Sequence, residues 1–136
     1  STATTPPPAP PPTEPAPAPP PTANPTGQTP AQLLAAVRAY HGPYAGMMTA
    51  YNAYFDAAPN DWQTMNSLAE RIAEAHPADA ESVARRAVTA NPNNARGWFL
   101  LAFSRKVQGN RAGFREAHGR CIALGGQWAA ECRALE

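Results

Sequence analysis

The chain has 136 residues with a formal net charge of +1 and 43% hydrophobic content, which leaves room for one domain and argues against a protein that coats nucleic acid with a dense basic face. It contains no run of about 20 apolar residues, as a transmembrane helix requires, and no charged-then-apolar opening that would serve as a signal peptide. It opens on Ser1 rather than Met, so membrane attachment is expected only through an anchor or signal outside this chain.

Composition changes sharply along the chain. Of the 17 prolines, 13 fall in residues 1–30, a stretch with a single charge, Glu14, and no aliphatic side chain larger than alanine. Nothing there offsets the roughly 1–2 kcal/mol per residue that ordering costs, so residues 1–27 are expected to form a disordered proline-rich linker. Runs of Pro favour polyproline II, at about 3.1 Å per residue, which makes this arm a semi-rigid spacer. PxxP spacings beginning at Pro7, Pro8, Pro12 and Pro17 also fit a ligand for an aromatic groove, a second reading that chance in a proline tract weakens.

The other four prolines, Pro43, Pro59, Pro77 and Pro92, all lie between apolar-periodic segments, where they punctuate helices. The first helix is expected from Thr29, capped by its hydroxyl with Gln32 completing a capping box, to about His41. A second runs from Pro43 to about Ala57 with Met47, Tyr51, Tyr54 and Phe55 at helical spacing. The third, Asp61 to Ala75, sets Met65, Leu68, Ala69 and Ile72 on one stripe, and the fourth, Pro77 to Ala90, is small-sided, with Ala80, Val83, Ala84, Ala87 and Val88. The fifth, Asn94 to Gln108, carries Trp98, Leu101, Ala102, Phe99 and Phe103. A sixth, Arg111 to Leu124, aligns Phe114, Ala117, Cys121 and Leu124, ends at Gly125-Gly126 and is followed by a short seventh from Gln127 to Leu135. No alternating run of β-branched residues predicts a strand.

These helices pair with tight turns and a repeating period: Pro59 and Pro92 are 33 residues apart, and Gly126 lies 34 beyond Pro92. Residues 95–126 resemble a tetratricopeptide repeat, with Trp98, Leu101 and Ala102 standing where that family has Trp, Leu and Gly, Gln108-Gly109-Asn110 at the inter-helix turn, and Cys121 as the small residue of the second helix. Residues 62–94 show the pattern as Met65, Leu68, Ala69 and Ile72, then Ala80, Ala84 and Ala87. Residues 28–61 match it least, through Ala31, Leu34, Ala35, Gly42, Tyr44, Met47, Tyr51, Tyr54 and Pro59. Arg38 and Arg105 occupy positions where the family usually has an aromatic, so packing must differ there. The resemblance implies an all-α fold, an α-solenoid of three helix-turn-helix repeats over 28–136 closed by a capping helix at 127–135.

It also implies a concave groove lined by the first helix of each repeat. The groove-facing positions then fall on Gln32, Ala36, Ala39 and Tyr40; on Gln63, Asn66, Glu70 and Glu74; and on Arg96, Phe99, Phe103 and Lys106. Phe99 and Phe103 are either an apolar platform flanked by cations or part of the core. The basic clamp by which some relatives hold a carboxylate terminus is absent apart from Arg96.

Cys121 and Cys132 lie almost symmetrically about Gly125-Gly126, so in an antiparallel hairpin they either form a disulfide, worth about 2–3 kcal/mol for so short a loop, or remain two buried thiols. A zinc site made with His118 lacks a fourth ligand. His41 and His76 sit at helix ends, where they cap carbonyls or meet the helix dipole, and Glu70 with Glu74 reads as a solvated i, i+4 stripe. With no GxSxG, phosphate-cradling glycine loop or HExxH, no enzyme, cofactor or metal is expected. The bases Arg96, Arg105, Lys106, Arg111, Arg115, Arg120 and Arg133 outnumber Glu116 and Glu131, as a solvated face or as a patch for an acidic partner.

The sequence therefore reads as a scaffold or adaptor that docks a segment of another protein, in a bacterial periplasm or cell envelope, with the cytoplasm as the alternative location. Two further occupants of the groove fit the residues: a second copy, making a self-associating structural component, and Pro17 to Pro25 of the arm in cis.

Overall fold

The computed structural model describes residues 27–136, so the linker expected over 1–27 and its PxxP spacings lie, Gly27 excepted, outside the described residues. These contain seven α-helices and no strand: α1 (Pro30–Ala39), α2 (Tyr44–Ala57), α3 (Trp62–Ile72), α4 (Pro77–Ala90), α5 (Ala95–Val107), α6 (Arg111–Leu124) and α7 (Gly126–Ala134). The all-α expectation holds. Two compact units divide the chain between Ala57 and Ala58 and are described separately.

In the first unit α1 packs on α2. Thr29 caps α1: its Oγ1 accepts from Gln32 N at 3.2 Å while Gln32 Oε1 accepts from Thr29 N at 2.9 Å, the capping box the sequence predicts. The helix stops at Ala39, two residues earlier than expected, because Tyr40 turns extended and its hydroxyl donates to the Pro43 carbonyl at 2.9 Å. Leu33 and Val37 carry the buried stripe of α1, whereas Leu34 is half-buried and Ala35 exposed. In α2, Tyr54 and Phe55 are buried with ring centroids 5.7 Å apart.

In the second unit each helix packs on the next, from α3 through α7, and α5 also meets α3 and α7. The predicted apolar stripes are buried as read: Met65, Leu68, Ala69 and Ile72 on α3; Ala80, Val83, Ala84, Ala87 and Val88 on α4; Trp98, Leu101 and Ala102 on α5. Buried alanines at three successive turns of α4, Ala80, Ala84 and Ala87, present a small-sided surface of the kind that permits close helix packing. Leu124 departs from its expected place in the core. It occupies the last turn of α6 beside the Gly125 turn and is 39% exposed.

Local chemistry sets the helix ends. Asp61, Asn94 and Asn110 each accept from the backbone N–H three residues on, capping α3, α5 and α6. After Asn94 and Asn110 the third helical position is glycine, and a Cβ on Gly97 would collide with the Asn94 amide and come within 3.0 Å of Val88. Between α5 and α6, Gly109 takes φ +79°, with Asn110 N donating to Arg105 O at 2.9 Å and Gly109 N to Lys106 O at 3.0 Å, a Schellman closure. α3 ends at Ile72, three residues earlier than expected, and His76 leaves helical geometry before Pro77.

Two buried polar clusters hold these helices in register. Asn66 and Asn94 exchange reciprocal amide hydrogen bonds, both at 2.8 Å, linking the middle of α3 to the cap of α5. Arg105, where the sequence predicts a departure in packing, is buried and donates through Nε to Glu81 at 3.2 Å and through a terminal nitrogen to Gly113 O at 2.9 Å, so one guanidinium joins α4, α5 and α6. Gln108 donates to the other Glu81 oxygen at 2.9 Å, and Arg85 approaches the carboxylate at 3.1 Å. Burial alone would raise the Glu81 pKa. The hydrogen bonds from Gln108 and Arg105, with the charges of Arg105 and Arg85, outweigh it and hold the carboxyl below its ordinary value.

Two outcomes follow. Asn66→Ala strands the buried Asn94 amide and should cost about 1–3 kcal/mol in urea unfolding, whereas Asn93→Ala, at an exposed position, should change it by less than about 0.5 kcal/mol. Because the Glu81 pKa is lower folded than unfolded, its stabilisation is present above the ordinary glutamate range and lost as pH falls through the folded value. The stability of Glu81→Gln should therefore decline less than that of wild type between neutral and acid pH, measured by urea titration at each pH.

Candidate functional site

Residues spaced along α3 and the turn after it meet residues successively further from the cap of α5 into the helix: Asn66 meets Asn94, Glu70 meets Arg96, and Glu74 shares a cavity with Phe99 and Phe103. The same progression continues from α5 to α7, since Phe99 meets Trp128 and Lys106 donates to Leu135 O. Thus α3, α5 and α7 run parallel, and their shared face carries most of the residues expected to line a groove.

The centre of that face is aromatic. Phe99 and Phe103 are one turn apart, with centroids separated by 6.4 Å and planes tilted by 31°, and both are half-buried. Trp128 lies 5.2 Å from Phe99, and the Arg96 guanidinium sits 5.9 Å from the Trp128 ring, while Arg96 also pairs with Glu70. Such ring contacts contribute about 0.5–1.5 kcal/mol each beyond area burial. The exposed Glu70–Arg96 pair adds little to stability but fixes the charge pattern beside the rings. Between α3 and α5 a shallow cavity of about 130 Å³ is lined by Glu70, Ala73, Glu74, Phe99, Leu100 and Phe103. Glu74 has no ion-pair partner among the described residues, so the cavity has an apolar floor and an acidic rim.

The expected site residues separate into groups. Gln63, Glu70 and Lys106 are exposed, and Arg96, Phe99 and Phe103 are half-buried. Asn66 is the correction: it is 1% exposed and its amide is closed on Asn94, so it supports the face from within rather than meeting a ligand. Tyr40 belongs to the first unit, where its hydroxyl is used in the α1–α2 turn. Phe99 is covered in part by Trp128, which the sequence reading passed over. Its signal was a lone large aromatic in a helix otherwise made of small and polar residues.

What brings Trp128 to the face is the α6–α7 hairpin. Gly125, at φ +73°, reverses the chain, and Cys121 and Cys132 form a disulfide with Cα atoms 6.4 Å apart, inside the about 4.4–6.8 Å window for such bonds. Both cysteines are fully buried, and Ala129 is buried on the same helix. This is the geometry that the first of the two alternatives, the bonded pair, requires. Replacing both cysteines by alanine should lower the unfolding free energy by about 2–3 kcal/mol in non-reducing urea, and dithiothreitol should reduce wild-type stability by a similar amount; an unchanged midpoint would show that the bond does not hold α7.

Comparison with protein-family models, with curated proteins and with solved structures finds no match for this chain.

Proposed function

We propose that the chain is an interaction module of the tetratricopeptide type, an α-solenoid of three helix-turn-helix repeats, and that it docks one extended or helical segment of a partner protein on the face formed by α3, α5 and α7. The observation that carries this reading is the aromatic step of Phe99 and Phe103 beside Glu70 and Glu74. It leaves large rings half-exposed over a cavity, the arrangement in which an apolar anchor side chain gains most by desolvation. The parallel course of α3, α5 and α7, with α4 and α6 between them in sequence, supports the stacked-repeat assignment. The acidic rim favours a partner segment bearing a basic residue next to its apolar anchor.

The module works in an oxidising compartment, with the bacterial periplasm or cell envelope as the proposed location; the Cys121–Cys132 bond supports this, because disulfides rarely persist in a reducing cytosol. Residues 1–27 act as the tether, a role that rests on their proline-rich composition. The face is a binding surface without catalysis.

The test is a quantitative crosslinking pull-down with residues 1–136, comparing wild type, Phe103→Ala and Glu74→Lys at matched helicity by circular dichroism. One specific partner should be lost from both variants, with affinity falling at least about tenfold, as expected when a central aromatic is truncated. Retention of that partner by both variants would refute the docking face. Sedimentation that depends on concentration in wild type but not in Phe103→Ala would identify the occupant as a second copy of the chain.

A further inference from the structure

The end of α5, the first turns of α6 and the end of α7 enclose a second and larger concavity, of about 500 Å³. Phe114 and Leu135 supply its apolar surface and Lys106, Arg111 and Arg115 its charge. Lys106 Nζ lies 5.9 Å from the Phe114 ring centre and donates to the Leu135 carbonyl, so it is held over the floor without a carboxylate partner. Arg111 and Arg115 are exposed one turn apart on α6, and neither has an ion-pair partner among the described residues. The one acidic side chain in the lining, that of Glu136, lies 3.1 Å from His118 Nε2.

Arg111 opens α6 and Arg115 follows one turn later, so two like charges stand side by side in the lining, with Lys106 as a third. An anion in the concavity would relieve their mutual repulsion, and the exposed part of Phe114 would receive an apolar group joined to it.

We propose that this concavity is a docking site for an acidic segment of a partner protein, with an apolar or aromatic side chain seated on Phe114 and flanking carboxylates paired with Arg111 and Arg115. Arginine suits this role because its planar fork pairs bidentately with carboxylates. The site is separate from the acidic-rimmed cavity between α3 and α5 and selects the opposite charge.

Residues 1–136, labelled with ¹⁵N, are titrated with the acetylated and amidated pentapeptide Glu-Asp-Phe-Glu-Glu and with its neutral counterpart Gln-Asn-Phe-Gln-Gln. The acidic peptide should shift amides around Gly109, Asn110 and Phe114, more weakly as salt is added. Arg111→Gln/Arg115→Gln should bind it about tenfold less tightly at unchanged helicity, and Phe103→Ala should bind it as wild type does. Equal shifts from the neutral peptide, shifts scattered over the whole surface, or full affinity in the double arginine variant would overturn the proposal. So would a loss of affinity in Phe103→Ala, which would move the occupant to the other face, or the same shifts from inorganic phosphate at comparable concentration, which would reduce the site to a general anion site.

Discussion

The register of the second unit depends on a pair of side-chain amides buried between α3 and α5. Asn94 caps α5 with the same oxygen that receives the Asn66 amide, so the start of one helix and the middle of another are tied at a single point. An unpaired amide in that position would carry a desolvation cost of about 1–3 kcal/mol, which makes sliding α3 along α5 by a turn unfavourable in a way that apolar packing alone does not. Glu70 then faces Arg96, and Glu74 faces Phe99 and Phe103, because each lies a fixed number of turns from that tie. Gly97 belongs to the same constraint, since the cap amide and Val88 fill the space its Cβ would need.

A second cluster performs the corresponding task on α4, α5 and α6 by different means. Arg105 is charged, nearly buried and shared between a carboxylate on α4 and a carbonyl on α6. An arginine there costs more to desolvate than an aromatic but supplies directional bonds to two neighbours, which fix rotation about the helix axis as well as separation. The electrostatic balance around Glu81 follows from this geometry: one partly buried carboxylate receives bonds from Gln108 and Arg105 and lies near Arg85, so it stays ionised at pH values where an isolated glutamate would begin to protonate.

Much of the fold was readable because its signals are local. Thr29 with Gln32, Pro77 after His76, and Gly109 with Asn110 act within four residues of themselves, and the helix limits they predict hold to within one to three residues. The disulfide was readable as one of two choices, since hairpin symmetry about Gly125 depends only on counting turns. What resisted reading depends on partners far along the chain. Asn66 has the spacing of a surface residue and is buried only because Asn94 lies 28 positions away. Arg105 is buried only because Glu81, 24 positions earlier, and Gly113 supply its acceptors. In α1 the adjacent Leu33 and Leu34 offer two apolar stripes of similar strength, and only the packing on α2 decides that Leu33 and Val37 are the buried ones.

The α6–α7 closure has a mechanical meaning. A load applied to the chain beyond Cys132 passes through the sulfur bridge directly into α6, so the segment between the two cysteines, 11 positions apart, is shielded from tension. Trp128 and Ala129 lie inside that shielded interval, and their packing is therefore spared when the end of the chain is pulled. With the bridge reduced, the same pull would act on α7 itself and could draw out slack of up to about 3.3–3.6 Å per residue.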